Sequence, residues 1–156
     1  MDERINRDQV NIALALLLAK RATCSRLSVG AVLTKEGRVI TTGYNGPPSE
    51  EKHCEDLGCN IKEVCSNAVH AEQNMIAFSA KEGISLKGTT LYITYCPCLN
   101  CANLIISAGI SRVVFIHKFR SEEGFNRLLK HPKVSVSQLP IDNLNWALKE
   151  WGISIK

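Results

Sequence analysis

Two short stretches constrain this chain more than anything else in it: His70-Ala71-Glu72 and, farther on, Pro97-Cys98-Leu99-Asn100-Cys101. One imidazole and two thiols are donor types that a borderline-soft ion such as zinc takes. Three protein ligands with an open fourth position make a catalytic site, not a closed structural one. Two thiolates and a neutral imidazole offset the double positive charge of zinc, so a water in the open position can lose its proton and become a nucleophilic hydroxide. The spacing then dictates local structure. Residues two apart point to different faces of a helix interior, so His70 and Glu72 converge only at a helix N-terminus. The apolar run Met75-Ile76-Ala77-Phe78 predicts a helix from His70 to Ala80, with Glu72 in the first turn, where the helix dipole favours a carboxylate. Pro97 is expected in the first turn of a second helix, Cys98 to Ala108. That placement sets Cys98 and Cys101 on one face and lowers their thiol pKa. The fold must therefore bring two helix N-termini to one ion. A closed structural site with Cys96 as fourth ligand would use the same thiols but leave Glu72 without a role, and a lone Cys-x-x-Cys also serves redox chemistry.

A chain of 156 residues is expected to form one domain, residues 1–156, with a substantial core. A hydrophobic content of 45% with mean hydropathy −0.04 is that of an ordinary globular protein, and the longest apolar run, Ile12 to Ala19, is too short to span a bilayer. The start Met1-Asp2-Glu3-Arg4 carries no apolar secretory core, which predicts a cytoplasmic location. Disulfides are rare in that compartment, so the seven cysteines are expected to be thiols or metal ligands. A net charge of +4 favours anionic small molecules, but it is too small and too scattered for a nucleic-acid-binding surface. Neither a membrane nor a nucleic-acid partner is expected.

Along the chain, Asp8 to Arg21 reads as a helix with Val10, Leu14, Leu17 and Leu18 as its buried stripe and Lys20-Arg21 at its C-terminal end. Val29 to Leu33 and Arg38 to Tyr44 read as a hairpin turning at Lys35-Glu36-Gly37. Gly43-Tyr44-Asn45-Gly46-Pro47-Pro48 breaks the second strand into a loop, either a ligand-contact element or a plain turn. Residues 49–68 show little periodicity but much cysteine. Strands follow at Thr89 to Thr94, Arg112 to His117 and Val134 to Leu139. Helices are expected at Glu122 to Lys130 and Asn143 to Trp151, and Gly109 is expected as a left-handed cap closing the helix of the second motif. The alternation of strands and helices after His70 implies a parallel portion of the sheet. The fold class predicted is α/β, three layers (α/β/α) around a mixed sheet of about five strands. Cys24, Cys54, Cys59 and Cys65, with His53 nearby, would either close a second, structural zinc site or remain free thiols.

His-x-Glu followed by Pro-Cys-x-x-Cys matches the signature of the zinc nucleobase deaminases. Taken with Cys24-Ser25-Arg26, Val29-Gly30-Ala31-Val32, His53-Cys54, Ile105-Ile106 and Gly109-Ile110, it makes the chain resemble the cytidine deaminase-like family. Gly43-Tyr44-Asn45-Gly46 with His70-Ala71-Glu72-Gln73-Asn74 narrows the resemblance to the deoxycytidylate (dCMP) deaminases. The resemblance implies a cytidine deaminase-like fold and a hydrolase that converts dCMP to dUMP and ammonia, supplying thymidylate synthesis. It implies zinc on His70, Cys98 and Cys101, and Glu72 as the proton shuttle that serves N3 of the pyrimidine and then the departing amine. Asn45 and Ala71 would contact the substrate. Arg26 is the candidate for the 5′-phosphate, because a guanidinium matches phosphate geometry; a solvated arginine is the alternative, and Lys118 and Arg120 are the other cations available. Relatives often carry a tyrosine where this chain has Phe119. Some carry a second zinc, and they are commonly hexamers activated by dCTP and inhibited by dTTP, with the Gly43–Gly46 loop in the effector region. Nucleoside cytidine, guanine and tRNA adenosine deaminases share the zinc motifs. A zinc-stabilised binding or assembly module that has lost catalysis, such as a component of a DNA-uptake locus, is the rival of another class; it has no need for Glu72.

Overall fold

Short aliphatic and β-branched runs build the centre of the molecule, and helices cover both of its faces. The structure is a computed structural model that describes residues 4–59 and 65–152, without the side chains of residues 148 and 151. The acidic start at residues 1–3 and the middle of the cysteine-rich 49–68 stretch lie outside the described residues. The elements run α1 (Arg7–Ala19), β1 (Gly30–Lys35), β2 (Arg38–Tyr44), a one-turn α2 (Cys54–Leu57), α3 (Ala71–Lys81), β3 (Thr90–Tyr95), α4 (Leu99–Ser107), β4 (Arg112–His117), α5 (Glu123–Leu129), β5 (Ser135–Gln138), a 3-10 turn (Ile141–Leu144) and α6 (Asn145–Trp151).

The five strands form one mixed sheet in the order β2-β1-β3-β4-β5. The β1–β2 hairpin and the β1–β3 pair are antiparallel, while β3–β4 and β4–β5 are parallel. Side chains alternate across a strand, and here both faces are apolar. Ala31, Leu33, Leu91, Ile93, Val113 and Phe115 point into a core shared with α3, α4 and α5. Val32, Tyr92, Val114 and Ile116 point the other way, against α1 and the C-terminal Leu144 and Ala147. The register explains the sorting: Leu33 pairs with Leu91, which pairs with Val113, so residues of one set stand side by side. This is the expected three-layer arrangement.

Three details correct the expectations. The buried side of α1 is Ile12, Ala13, Ala15, Leu16 and Ala19, whereas Val10 and Leu17 are exposed and Leu14 and Leu18 lie at the margin. The reason is close contact with the sheet: a Cβ on Gly30 of β1 would lie 1.9 Å from the Ala15 carbonyl oxygen, so only the alanine-rich side of α1 can seat there. Lys20 and Arg21 lie beyond the last helical residue. Pro97 stands outside α4, because Cys98 takes the N-cap position and Leu99 is the first helical residue.

The start of α1 is held at both ends of its first turn. Asn6 and Gln9 form a reciprocal capping box, with N–H to side-chain oxygen distances of 2.7 and 2.9 Å. Arg112 of β4 donates from both terminal nitrogens to the two Asp8 oxygens at 2.8 and 2.6 Å, and the Tyr92 hydroxyl adds a bond to Asp8 at 2.8 Å. The Arg112 guanidinium holds the Asp8 carboxyl below its ordinary range despite partial burial.

Candidate active site

His70 and Cys98 are both N-cap residues with extended backbone, at the starts of α3 and α4. The extended N-cap conformation turns a side chain off the helix axis toward whatever lies in front of the helix. His70 donates its N–H to Gln73 Oε1 at 2.9 Å, and its carbonyl accepts from Asn74, which fixes the first turn of α3. Cys101 follows Cys98 by three residues and turns back to the same point. His70 Nδ1 lies 3.6 Å from Cys98 Sγ and 3.4 Å from Cys101 Sγ, and the three donor atoms all lie within 4.8 Å of one another. Donors sharing a tetrahedral zinc, with Zn–N near 2.0 Å and Zn–S near 2.3 Å, stand roughly 3.5 Å apart. The donor set and its spacing therefore fit zinc. Among the described residues this is the one such group.

Hydrogen bonds from Cys101 and His70 draw the Cys98 thiol down to about 4, and the same bond, with burial, pushes Cys101 well up. The Cys98 sulfur in turn raises the His70 imidazole. Glu72, in the first turn of α3, is only 4% exposed, and burial pushes its carboxyl up to about 7. A carboxyl that titrates near neutrality can both take and give a proton at working pH. Cys96 is a buried thiol raised to about 12 by desolvation; it is not among the three gathered donors.

Of these groups, His70, Glu72, Cys96 and Cys98 line a cavity of about 630 Å³, together with Ala71, Asn45, Arg26, Lys118 and Arg120, while Cys101 is fully buried. Three cations thus share a wall with a buried carboxyl and a metal-ready cluster. Asn45 is engaged structurally: it accepts the Val29 N–H at 2.8 Å and donates to the Leu27 carbonyl at 2.7 Å. Its second amide hydrogen is what it has left for a ligand. The same pair of bonds straps the 27–29 segment, just past Arg26, to the end of β2. Gly43 lies against the start of α3, where a Cβ would come 2.5 Å from the Ala71 carbonyl oxygen, and Asn74 donates to the Tyr44 carbonyl at 2.9 Å. The Gly43–Gly46 stretch is thereby built into the site's support.

The other cysteines are less tightly gathered. Cys54 is buried, and burial with the nearby Cys24, Cys65 and Cys59 raises its thiol, while hydrogen bonds from Ala68 and Asn67 lower Cys65. Their donor atoms do not reach the spacing of the His70 cluster. Cys24 and Cys65 also line the main cavity, as do Leu27 and Tyr95, which the sequence did not point to. Tyr95 ends β3, and its position at the carboxyl end of a parallel strand was the available signal.

Comparison with known proteins agrees with this geometry. The sequence profile described as the cytidine and deoxycytidylate deaminase zinc-binding region matches residues 5–117. The ComE operon protein 2 of Bacillus subtilis is 38% identical over 148 residues, 94% of this chain and 78% of that protein. The deoxycytidylate deaminase of Enterobacteria phage T4 is 29% identical over 174 residues, covering 86% of this chain and 90% of the phage protein. Among solved structures, the dCMP deaminase of cyanophage S-TIM5 in complex with dCMP and dUMP superposes with a TM-score of 0.78 at 28% identity, over 88% of this chain and 99% of that one.

Proposed function

Because the chain belongs to the cytidine and deoxycytidylate deaminase family, we propose that it is a zinc-dependent hydrolase that deaminates dCMP to dUMP and ammonia, feeding thymidylate synthesis. One observation carries this reading: a buried Glu72 shares a cavity with three cations and with His70 and Cys98, two members of the three-donor cluster that Cys101 completes. A zinc ion held by those three residues would supply a hydroxide nucleophile at neutral pH. Glu72 takes the proton that the attacking water gives up and delivers it to N3 of the pyrimidine; it then takes the proton of the new C4 hydroxyl and passes it to the amine, so that the C4–N bond breaks, the C4 carbonyl forms and ammonia leaves. Its burial excludes water from that transfer. The Ala71 backbone and the remaining Asn45 hydrogen orient the base and sugar, and Arg26 takes the 5′-phosphate, with Lys118 and Arg120 beside it.

The test is ammonia release from a panel of dCMP, deoxycytidine, cytidine, guanine and adenosine-bearing tRNA. The expected kcat/KM for dCMP is at least ~10²-fold above that for deoxycytidine, since a buried charge-assisted contact left unmade costs about 1.5–3 kcal/mol or more. Arg26→Ala should remove most of that ratio and leave deoxycytidine turnover nearly unchanged. Equal efficiency on both substrates would reject the nucleotide reading, and no deamination at all would favour a binding or assembly module.

Finer points of the same reading have their own tests. The nearness of Cys24, Cys59 and Cys65 to the buried Cys54 thiol supports a second, structural zinc; metal analysis should give two ions per chain, and a value near one removes it. Exposed Phe78, Leu99 and Leu104 on α3 and α4 support an assembled state, expected as a hexamer activated by dCTP and inhibited by dTTP. A monomer in sedimentation, or substrate curves indifferent to dCTP, would contradict that. Among the described residues no helix is long and apolar enough to cross a membrane.

A further inference from the structure

We infer that Gly124, the second residue of α5, is a positioning residue for Cys98; the inference rests on the reading of Cys98 as a metal ligand. Gly124 is buried against the chain that enters α4. A Cβ built on it would lie 1.9 Å from the Pro97 carbonyl oxygen, 2.7 Å from the Cys98 carbonyl carbon and 2.9 Å from the Cys98 oxygen. None of these atoms belongs to a side chain that could turn away. They form the peptide units that carry the ligand.

The Cys98 carbonyl is also fixed from its other side, because it accepts the Ala102 N–H at 2.8 Å as the first hydrogen bond of α4. The peptide at Cys98 is therefore clamped between the first turn of α4 and the first turn of α5. α5 cannot back away to make room. Phe125 packs edge-on against Phe115 of β4 at 5.9 Å, and Arg127 Nε donates to Asn103 of α4 at 2.9 Å. Gly124 lies within a helix, where glycine is a poorer former than alanine, so conformation does not select it; space does. Holding this peptide in place keeps Cys98 Sγ at 3.6 Å from His70 Nδ1. A residue that orients a metal ligand from behind commonly changes metal affinity by about 10–100-fold when replaced.

The test uses the full chain with zinc and compares Gly124→Ala with Asn126→Ala, an exposed control on the same helix. Three quantities are read: zinc affinity by chelator competition, the thiolate-to-metal charge-transfer band after cobalt substitution, and the melting temperature of the metal-free protein. Gly124→Ala is expected to weaken zinc by about 10–100-fold and shift the cobalt band, while the metal-free protein still melts cooperatively and the control changes nothing. kcat for dCMP should fall more than KM rises. Unchanged zinc affinity and an unchanged cobalt spectrum in Gly124→Ala would overturn the inference. Should that variant give no folded metal-free protein, Arg127→Ala replaces it, since it releases α5 from Asn103 and leaves the glycine in place; weaker zinc there supports the inference, and affinity within twofold of the parent rejects it. Cys98→Ser separates the two levels: if that variant binds zinc as tightly as the parent, the ligand reading itself fails.

Discussion

Gly43 of β2 touches Ala71 at the start of α3 so closely that any side chain at position 43 would fall within 2.5 Å of the Ala71 carbonyl oxygen and 3.0 Å of Met75 Cβ. The contact sets the distance between the sheet and the helix that presents His70 and Glu72. Gly43→Ala should therefore cost about 1–3 kcal/mol of stability by overpacking and lower kcat for dCMP by moving Glu72 relative to the bound base. Thermal melting and steady-state kinetics on the purified variant check both, and a variant with parental stability and turnover would contradict the claim.

Glu72 is expected to act on protons and not on the metal. Glu72→Gln keeps the size and the burial but cannot shuttle a proton, so zinc content should stay unchanged while turnover falls at least ~10²-fold. Loss of zinc from that variant would show that the carboxyl is a ligand or a structural partner of one.

Asn45 ties two backbone groups of the 27–29 segment to the end of β2. Asn45→Ala would strand a buried N–H and a carbonyl, each worth about 1–3 kcal/mol when left unsatisfied. The expected result is a loss of about 2 kcal/mol or more in denaturant unfolding, together with a KM for dCMP that rises more than kcat falls, because Arg26 lies on the loosened loop. A change in kcat alone would point to direct contact with the reacting base instead.

The Asp8–Arg112 pair sets an acid limit on stability. Arg112 depresses the Asp8 carboxyl in the folded state, so the unfolded chain binds a proton more readily. The stabilisation is complete above the unfolded carboxylate value of about 3.9 and is lost as pH falls through the lower folded value. Because the Arg112 side chain is 37% exposed, solvent screening limits the gain to about 1 kcal/mol. Asp8→Asn should lower the melting temperature at pH 7 and flatten the decline below pH 4; an identical acid arm in the two proteins would remove the pair from the explanation.

Much of this was readable from residue order alone. The hairpin, the parallel strands and β4 from Arg112 to His117 followed from apolar runs and turn residues, and the three donors followed from their spacing at helix starts. The side of α1 that meets the sheet did not, because α1 is apolar on two flanks and periodicity does not say which one finds a partner. Gly30, at the start of the strand that follows, decides it by admitting the alanine side. The place of Pro97 differs from its expected one for a related reason: Cys98 takes the N-cap, with its side chain facing His70, and the proline falls outside the helix. The cavity walls formed by Cys24 and Leu27, from the segment before β1, and by Tyr95, at the end of β3, come from stretches that meet only in three dimensions, and of these only Tyr95 carries a signal, its place at the carboxyl end of a parallel strand.

The turn joining β1 to β2 places Glu36 and Gly37 in the left-handed region, with φ of 50° and 76°. Since β1 runs antiparallel to β3, with Thr34 beside Thr90, this exposed tip lies at the edge of the sheet opposite the strand ends that lead to Cys98 and Arg120. It is therefore a natural attachment point: a short affinity or fluorescent peptide spliced between Glu36 and Gly37 would be displayed on the far side of the molecule, allowing the protein to be immobilised or followed while its cavity faces open solution.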